Sequence, residues 1–232
     1  FPLKIRYDVD NIYFRENKMS NPVNPALHIG NLNRLSISAL ANAQQFQGKT
    51  NNCALHTIAT ILNIHYGKSM DGTSLAKTID ESWPKMPFYY RVAPNWATTP
   101  RQARRVLRML AKRESFSLRT ELKHYSDDYL RDTLHYSTHR YPILTFFWIS
   151  KRLQLLTHQG RRELIMQTNR GPGAHTMLLA AHNPQKMDQK GHAYPWGFIN
   201  SWANESITDL FWMDEATWQR LIKFKTLMVT LN

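Results

Sequence analysis

The sequence predicts an α+β protein, helical in its first half and strand-rich in its second. Three observations carry this. The run Cys53-Ala-Leu-His-Thr-Ile-Ala-Thr-Ile-Leu-Asn-Ile-His-Tyr66 places Ala54, Ile58, Ile61, Leu62 and His65 at three- and four-residue steps and stops at Gly67, the period and terminator of a helix. Tyr141–Ile149, His175–Ala181 and Trp196–Trp202 are short, largely apolar runs bounded by turn signals, as strands are. Helical and strand segments are grouped rather than alternated, which argues against a βαβ order.

Taken in order, residues 1 to about 30 are mixed in character and punctuated by Asn21-Pro22-Val23-Asn24-Pro25, an irregular arm. Leu32 to Phe46 has helical features but weak caps, and residues 1–40 together read as an N-terminal extension. Thr50-Asn51-Asn52 supplies N-cap residues for the helix that opens at Cys53. Asp71-Gly72-Thr73-Ser74 reads as a turn into a short helix, Ser74 to Ser82, and Trp83 to Pro94 as an aromatic loop. Thr98-Thr99-Pro100 starts another helix, with proline in its first turn. Val106, Leu107, Leu110 and Ala111 form its apolar side, and arginines fill the rest. Ser115 to Leu122 alternates as a strand does. Ser126-Asp127-Asp128 caps a helix to about His139, with two acids where the helix dipole favours them. Pro142 sits at the start of the Tyr141–Ile149 strand, where its missing N–H does least harm. Arg162 to Thr168 is a further strand, Gly171-Pro172-Gly173 a turn, and His182 to Pro195 a polar loop.

Composition narrows the function classes. The chain is 42% hydrophobic and 12% aromatic, enough to bury a core and too much for disorder. No run of 18 apolar residues occurs, so no membrane-spanning helix is predicted. There is no GxxxxGK[ST] or GxGxxG phosphate loop. The formal charge of +13 is concentrated in Arg101, Arg104, Arg105, Arg108, Lys112 and Arg113, with a looser group at Lys151, Arg152, Arg161, Arg162 and Arg170. Such a surface attracts an acidic protein or peptide, nucleic acid or an anionic membrane. The chain opens on Phe1 rather than Met, so the lack of a leader says nothing about export.

Cys53 is the only cysteine. It cannot form an internal disulfide or a thiolate metal cluster, so it is either apolar filler or a reactive group. Its place at a helix N-terminus favours thiolate over thiol. Three segments then fall into one chemical plan: Gln47-Gly48-Lys49-Thr50-Asn51-Asn52-Cys53, Gly173-Ala174-His175-Thr176-Met177-Leu178 and Phe198-Ile199-Asn200-Ser201-Trp202. Cysteine on a helix, then histidine and asparagine on strands, with a glutamine six residues before the cysteine, resembles the papain-like cysteine peptidases.

The resemblance implies a papain-like fold over residues 41–232. A helical part, about 41–114, would carry the cysteine against a β-rich part, about 115–232, that carries the histidine and asparagine. It implies a Cys53–His175–Asn200 triad, an oxyanion hole from Gln47 and the Cys53 backbone N–H, and Trp202 shielding the His175–Asn200 hydrogen bond. The implied reaction is hydrolysis of a peptide or isopeptide bond through a thioester, without cofactor or metal. Deamidation of glutamine or acyl transfer to an amine needs the same apparatus with a different acceptor. Ala54 after the nucleophile, Ala203 after Asn-Ser-Trp and the absence of other cysteines mark a distant, bacterial-type member; the sequence does not give its compartment, with secretion or delivery to a host favoured over a cytoplasmic place.

Rival sites are weaker. His135 and His139 stand at i, i+4, as zinc ligands often do, but without a Glu after His135 or a third ligand. His182 is a rival base, placed in the loop after the His175 strand, and His56 and His65 are packing or surface residues. Asp127 and Asp128 are a helix cap rather than an acid–base pair. In a different class of function, the chain would be a non-catalytic basic module for nucleic acid or acidic membrane, with Cys53 inert.

Overall fold

The computed structural model describes residues 43–45, 50–82, 97–136, 143–149, 153–157, 162–166, 173–201 and 210–231. The predicted arm, residues 1–40, lies outside them, as do Trp83–Pro94, Gly171-Pro172 and the Leu32 to Phe46 segment apart from residues 43–45.

Helix α1 (Cys53–Tyr66) has the predicted bounds and ends on Gly67 at φ 59, a left-handed residue that glycine adopts without strain. Asn52 to Ile64 are all buried. A helix buried on every side is the central element of a core rather than a surface helix. Its polar residues are satisfied locally: the Thr57 hydroxyl donates to the Cys53 carbonyl and the Thr60 hydroxyl to the His56 carbonyl, each at 2.9 Å.

Helix α2 (Gly72–Ser82) begins earlier than predicted because Asp71 caps it, accepting the Ser74 N–H at 2.6 Å. A Cβ on Gly72 would lie 2.5 Å from His56 Cγ and 2.7 Å from His56 Cα, so the α1–α2 approach depends on glycine at this point. Helix α3 (Pro100–Arg113) opens on a capping box in which Thr99 and Gln102 satisfy each other's backbone N–H. It closes with Phe116 N–H donating to the Ala111 carbonyl at 2.8 Å across Ser115, whose φ is 56, a Schellman turn. Ala103, Val106, Leu107, Leu110 and Ala111 are buried, and Arg101, Arg108, Lys112 and Arg113 are exposed.

The chain continues through β1 (Leu118–Lys123), α4 (Asp127–Tyr136), β2 (Ile143–Ile149), β3 (Leu153–Leu156), β4 (Arg162–Met166), β5 (Gly173–His182), β6 (Trp196–Ile199), β7 (Phe211–Met213), α5 (Glu215–Arg220), β8 (Ile222–Lys223) and β9 (Thr226–Leu231). The strands form one sheet in the order β1-β9-β2-β5-β6-β7-β3-β4, with β8 also beside β2. Every pairing is antiparallel. The architecture is therefore α+β, as predicted.

Side-chain alternation divides the central strands between two cores. Leu144, Phe146, Leu178, Ala180, Ile199 and Val229 join the residues of α1, α2 and α3 in one cluster. Phe147, Met177, Leu179, Phe198 and Met228 face the other way, against Leu130 of α4 and Trp218 of α5. On that second face Trp218 stacks on Trp196 with centroids 4.5 Å apart, and Trp196 Nε1–H donates to Glu215 at 2.8 Å. Glu215 also pairs with Arg131 at 3.0 Å, which ties α5 to α4. Asp127 and Asp128 are structural, paired with Lys223 at 3.2 Å and Arg131 at 2.7 Å.

Candidate active site

Strand β5 pairs with β2 from Gly173 onward but with β6 only from Leu178. Among the described residues its first half therefore has a strand on one side alone, and the N-terminal end of α1 meets it there. Cys53 is 5% exposed, and the hydroxyl and backbone N–H of Thr176 act on its thiol. The backbone N–H groups of Ala54 and of Cys53 itself also act on the sulfur.

His175 and Thr176 leave the strand on opposite sides. Thr176 shares a face with Leu178 and Ala180, and His175 shares one with Met177 and Leu179. His175 is 1% exposed, and its Nε2–H donates to Asn200 Oδ1 at 2.8 Å. An amide oxygen only accepts, so Nε2 carries the hydrogen and Nδ1 keeps its lone pair. Asn200 follows directly on β6, is fully buried, and is fixed from a second direction by Gln44 Nε2–H, which donates to its carbonyl oxygen at 2.9 Å.

The electrostatics depart from the sequence expectation. Burial pushes the Cys53 thiol up, and the Thr176 hydroxyl, the Thr176 N–H and the helix N-terminal N–H groups pull it back only in part. Burial holds His175 down at about 4, against a smaller opposing effect of the Asn200 hydrogen bond. At neutral pH Cys53 is thus a thiol and His175 a neutral imidazole. The helix dipole that favours thiolate is outweighed by desolvation.

Of the residues singled out in the sequence, His175 and Asn200 are joined directly, and Cys53 meets β5 at the neighbouring Thr176, on the opposite face of the strand from the His175 side chain. Gln47 and Trp202 lie outside the described residues. Asn52 occupies the predicted N-cap, but its side chain makes no capping hydrogen bond. His182 is not in a loop: it ends β5, is buried, and packs edge-on against Trp196 at 4.7 Å. His56 is a core residue; its Nδ1–H donates to the Asn52 carbonyl at 3.0 Å and its Nε2 faces the Thr73 hydroxyl at 3.4 Å. His139 and the His135 side chain are outside the described residues, among which no group of three or more potential ligands is placed to hold a metal.

Two contributors were not assigned from sequence, Thr176 and Gln44. The available signal was a polar side chain interrupting an apolar face: Thr176 precedes Leu178 and Ala180 on one side of a strand. Compared with known proteins, the chain matches no protein-family model and no curated sequence.

Proposed function

We propose that this protein is a papain-like cysteine hydrolase that cleaves peptide or isopeptide bonds through a thioester on Cys53. The observation that carries the reading is the His175–Asn200 hydrogen bond, made by the strand residue that directly precedes Thr176, which acts on the buried Cys53 thiol. His175 Nδ1 accepts the thiol proton as Sγ bonds to the substrate carbonyl carbon. The carbonyl oxygen becomes an oxyanion, with Gln47 as a donor. The imidazolium returns the proton to the departing nitrogen as the C–N bond breaks, leaving the thioester. Water, deprotonated by His175, then displaces the sulfur and releases the acid. Asn200 keeps the imidazole in one tautomer and one orientation throughout, the role of the third member of a triad.

Burial of both Cys53 and His175 in uncharged form supports a nucleophile generated at the moment of attack. The exposed stripe Arg101, Arg108 and Lys112 on α3 supports an acidic substrate or partner. The deciding experiment is intact-mass labelling of the folded protein with iodoacetamide. Stoichiometric modification at Cys53 is expected, slowed strongly in His175→Ala, with turnover of a peptide library lost in Cys53→Ala. A thiol that stays unmodified while the protein is folded would leave only the basic binding module.

A further inference from the structure

We propose that the side-chain amide of Asn52 donates to the oxyanion that forms when Cys53 attacks a carbonyl. This rests on the reading of Cys53 as a nucleophile. Asn52 directly precedes Cys53 and is fully buried, yet neither its Nδ2 nor its Oδ1 has a hydrogen-bond partner. An asparagine at an N-cap ordinarily accepts from the second or third N–H of the helix. Both are already engaged. The Ala54 N–H acts on the Cys53 sulfur, and the Leu55 N–H is taken by Asn52's own carbonyl at 2.9 Å. The same carbonyl accepts His56 N–H and His56 Nδ1–H, each at 3.0 Å, so the Asn52 backbone is pinned while its amide is left over.

A buried amide with no partner is unfavourable, and an apolar side chain of the same shape would relieve it. The deficit disappears if an acceptor arrives. The acceptor that the Cys53 chemistry creates is an oxygen that gains negative charge as the sulfur adds and loses it as the thioester forms. A donor unused in the resting state, on the residue next to the nucleophile, stabilises that charge without first breaking a bond of its own.

Two reactions at the same sulfur separate this role from any effect on the thiol. Iodoacetamide alkylates Cys53 by displacing iodide, with no oxyanion. p-Nitrophenyl acetate acylates it through a tetrahedral oxyanion. Both are followed by intact-mass spectrometry on the full chain. In Asn52→Leu, alkylation should stay within about twofold of the parent while acylation slows roughly 10²- to 10³-fold, the loss expected for one oxyanion donor, and the melting temperature should hold or rise. Unchanged acylation, or a parallel loss of both reactions, overturns the proposal while leaving the nucleophile in place. A parent protein that undergoes neither reaction overturns the nucleophile and this inference together. Should Asn52→Leu not fold, Asn52→Ala carries the same comparison.

Discussion

The side-chain amide of Gln44 donates to the carbonyl oxygen of Asn200 at 2.9 Å, joining positions 156 residues apart. The bond ties the segment that runs up to α1 to the residue that orients His175. Gln44→Leu leaves a fully buried carbonyl without its donor and should destabilise the fold by about 1–3 kcal/mol, read by urea unfolding. A loss below about 0.5 kcal/mol, smaller than a typical buried hydrogen bond, would show that Asn200 is held without it.

Thr176→Val keeps the shape of the side chain and deletes a hydroxyl donor to the sulfur. A hydrogen bond to a charged group contributes about 1.5–3 kcal/mol, so alkylation of Cys53 at pH 7 should slow by about tenfold or more, with its pH profile displaced upward. An unmoved profile would mean that the hydroxyl does not act on the thiolate.

His175 is held neutral by burial, near 4 rather than the usual 6.5. Between those values the unfolded chain binds a proton that the folded chain excludes. Stability should therefore fall as pH drops through this window, by about 3 kcal/mol in full, and be insensitive to this group above about 6.5. Denaturation at pH 7 and pH 4.5 should show a smaller acid loss in His175→Gln than in the parent. An equal loss in both would assign the acid sensitivity to other groups.

Much of this arrangement was legible in the sequence, for identifiable reasons. α1 was readable because its apolar spacing, Cys53 start and Gly67 stop agree, and α3 because Thr99-Pro100 is a strong opening. β2, β5 and β6 were visible as apolar runs. β3, β7, β8 and β9 were not. Leu153–Leu156, Phe211–Met213 and Ile222–Lys223 are too short to show a period, and Thr226 to Val229 of β9, between two other strands, are buried on both faces, without alternation. The family resemblance singled out Cys53, His175 and Asn200, of which the structure joins His175 to Asn200. The uncharged state of Cys53 and His175 was not legible, because it follows from burial, which depends on how the sheet and helices close over them. The idle amide of Asn52 was hidden for a related reason: residue type marked it as a cap, and only geometry shows the cap position already served.

Gly72→Ala places a methyl carbon 2.5 Å from His56 Cγ and against the His56 backbone. Neither neighbour is the tip of a flexible side chain, so α1 and α2 must separate. A loss of about 1–3 kcal/mol is expected, seen as a lower urea midpoint. A neutral outcome would show that the α1–α2 packing is looser than described.

Ser115 turns the chain at the end of α3 with φ 56, in the left-handed region where a side chain is strained. Ser115→Gly should raise stability by about 0.5–1 kcal/mol. A loss would indicate that the serine hydroxyl does more at this turn than its backbone angle suggests.

Strand β9 lies between β1 and β2, and among the described residues β1 has no other neighbour in the sheet. A chain emerging from the ribosome thus makes α3 and β1 long before it makes the segment that joins them to the rest. Until residues 226–231 arrive, Val106, Leu107 and Leu110 have only part of their final cover, and a nascent chain stalled before this point would expose them to chaperones and to its own neighbours. Threading such a late strand into the middle of a sheet also sets a slow, non-local closing step.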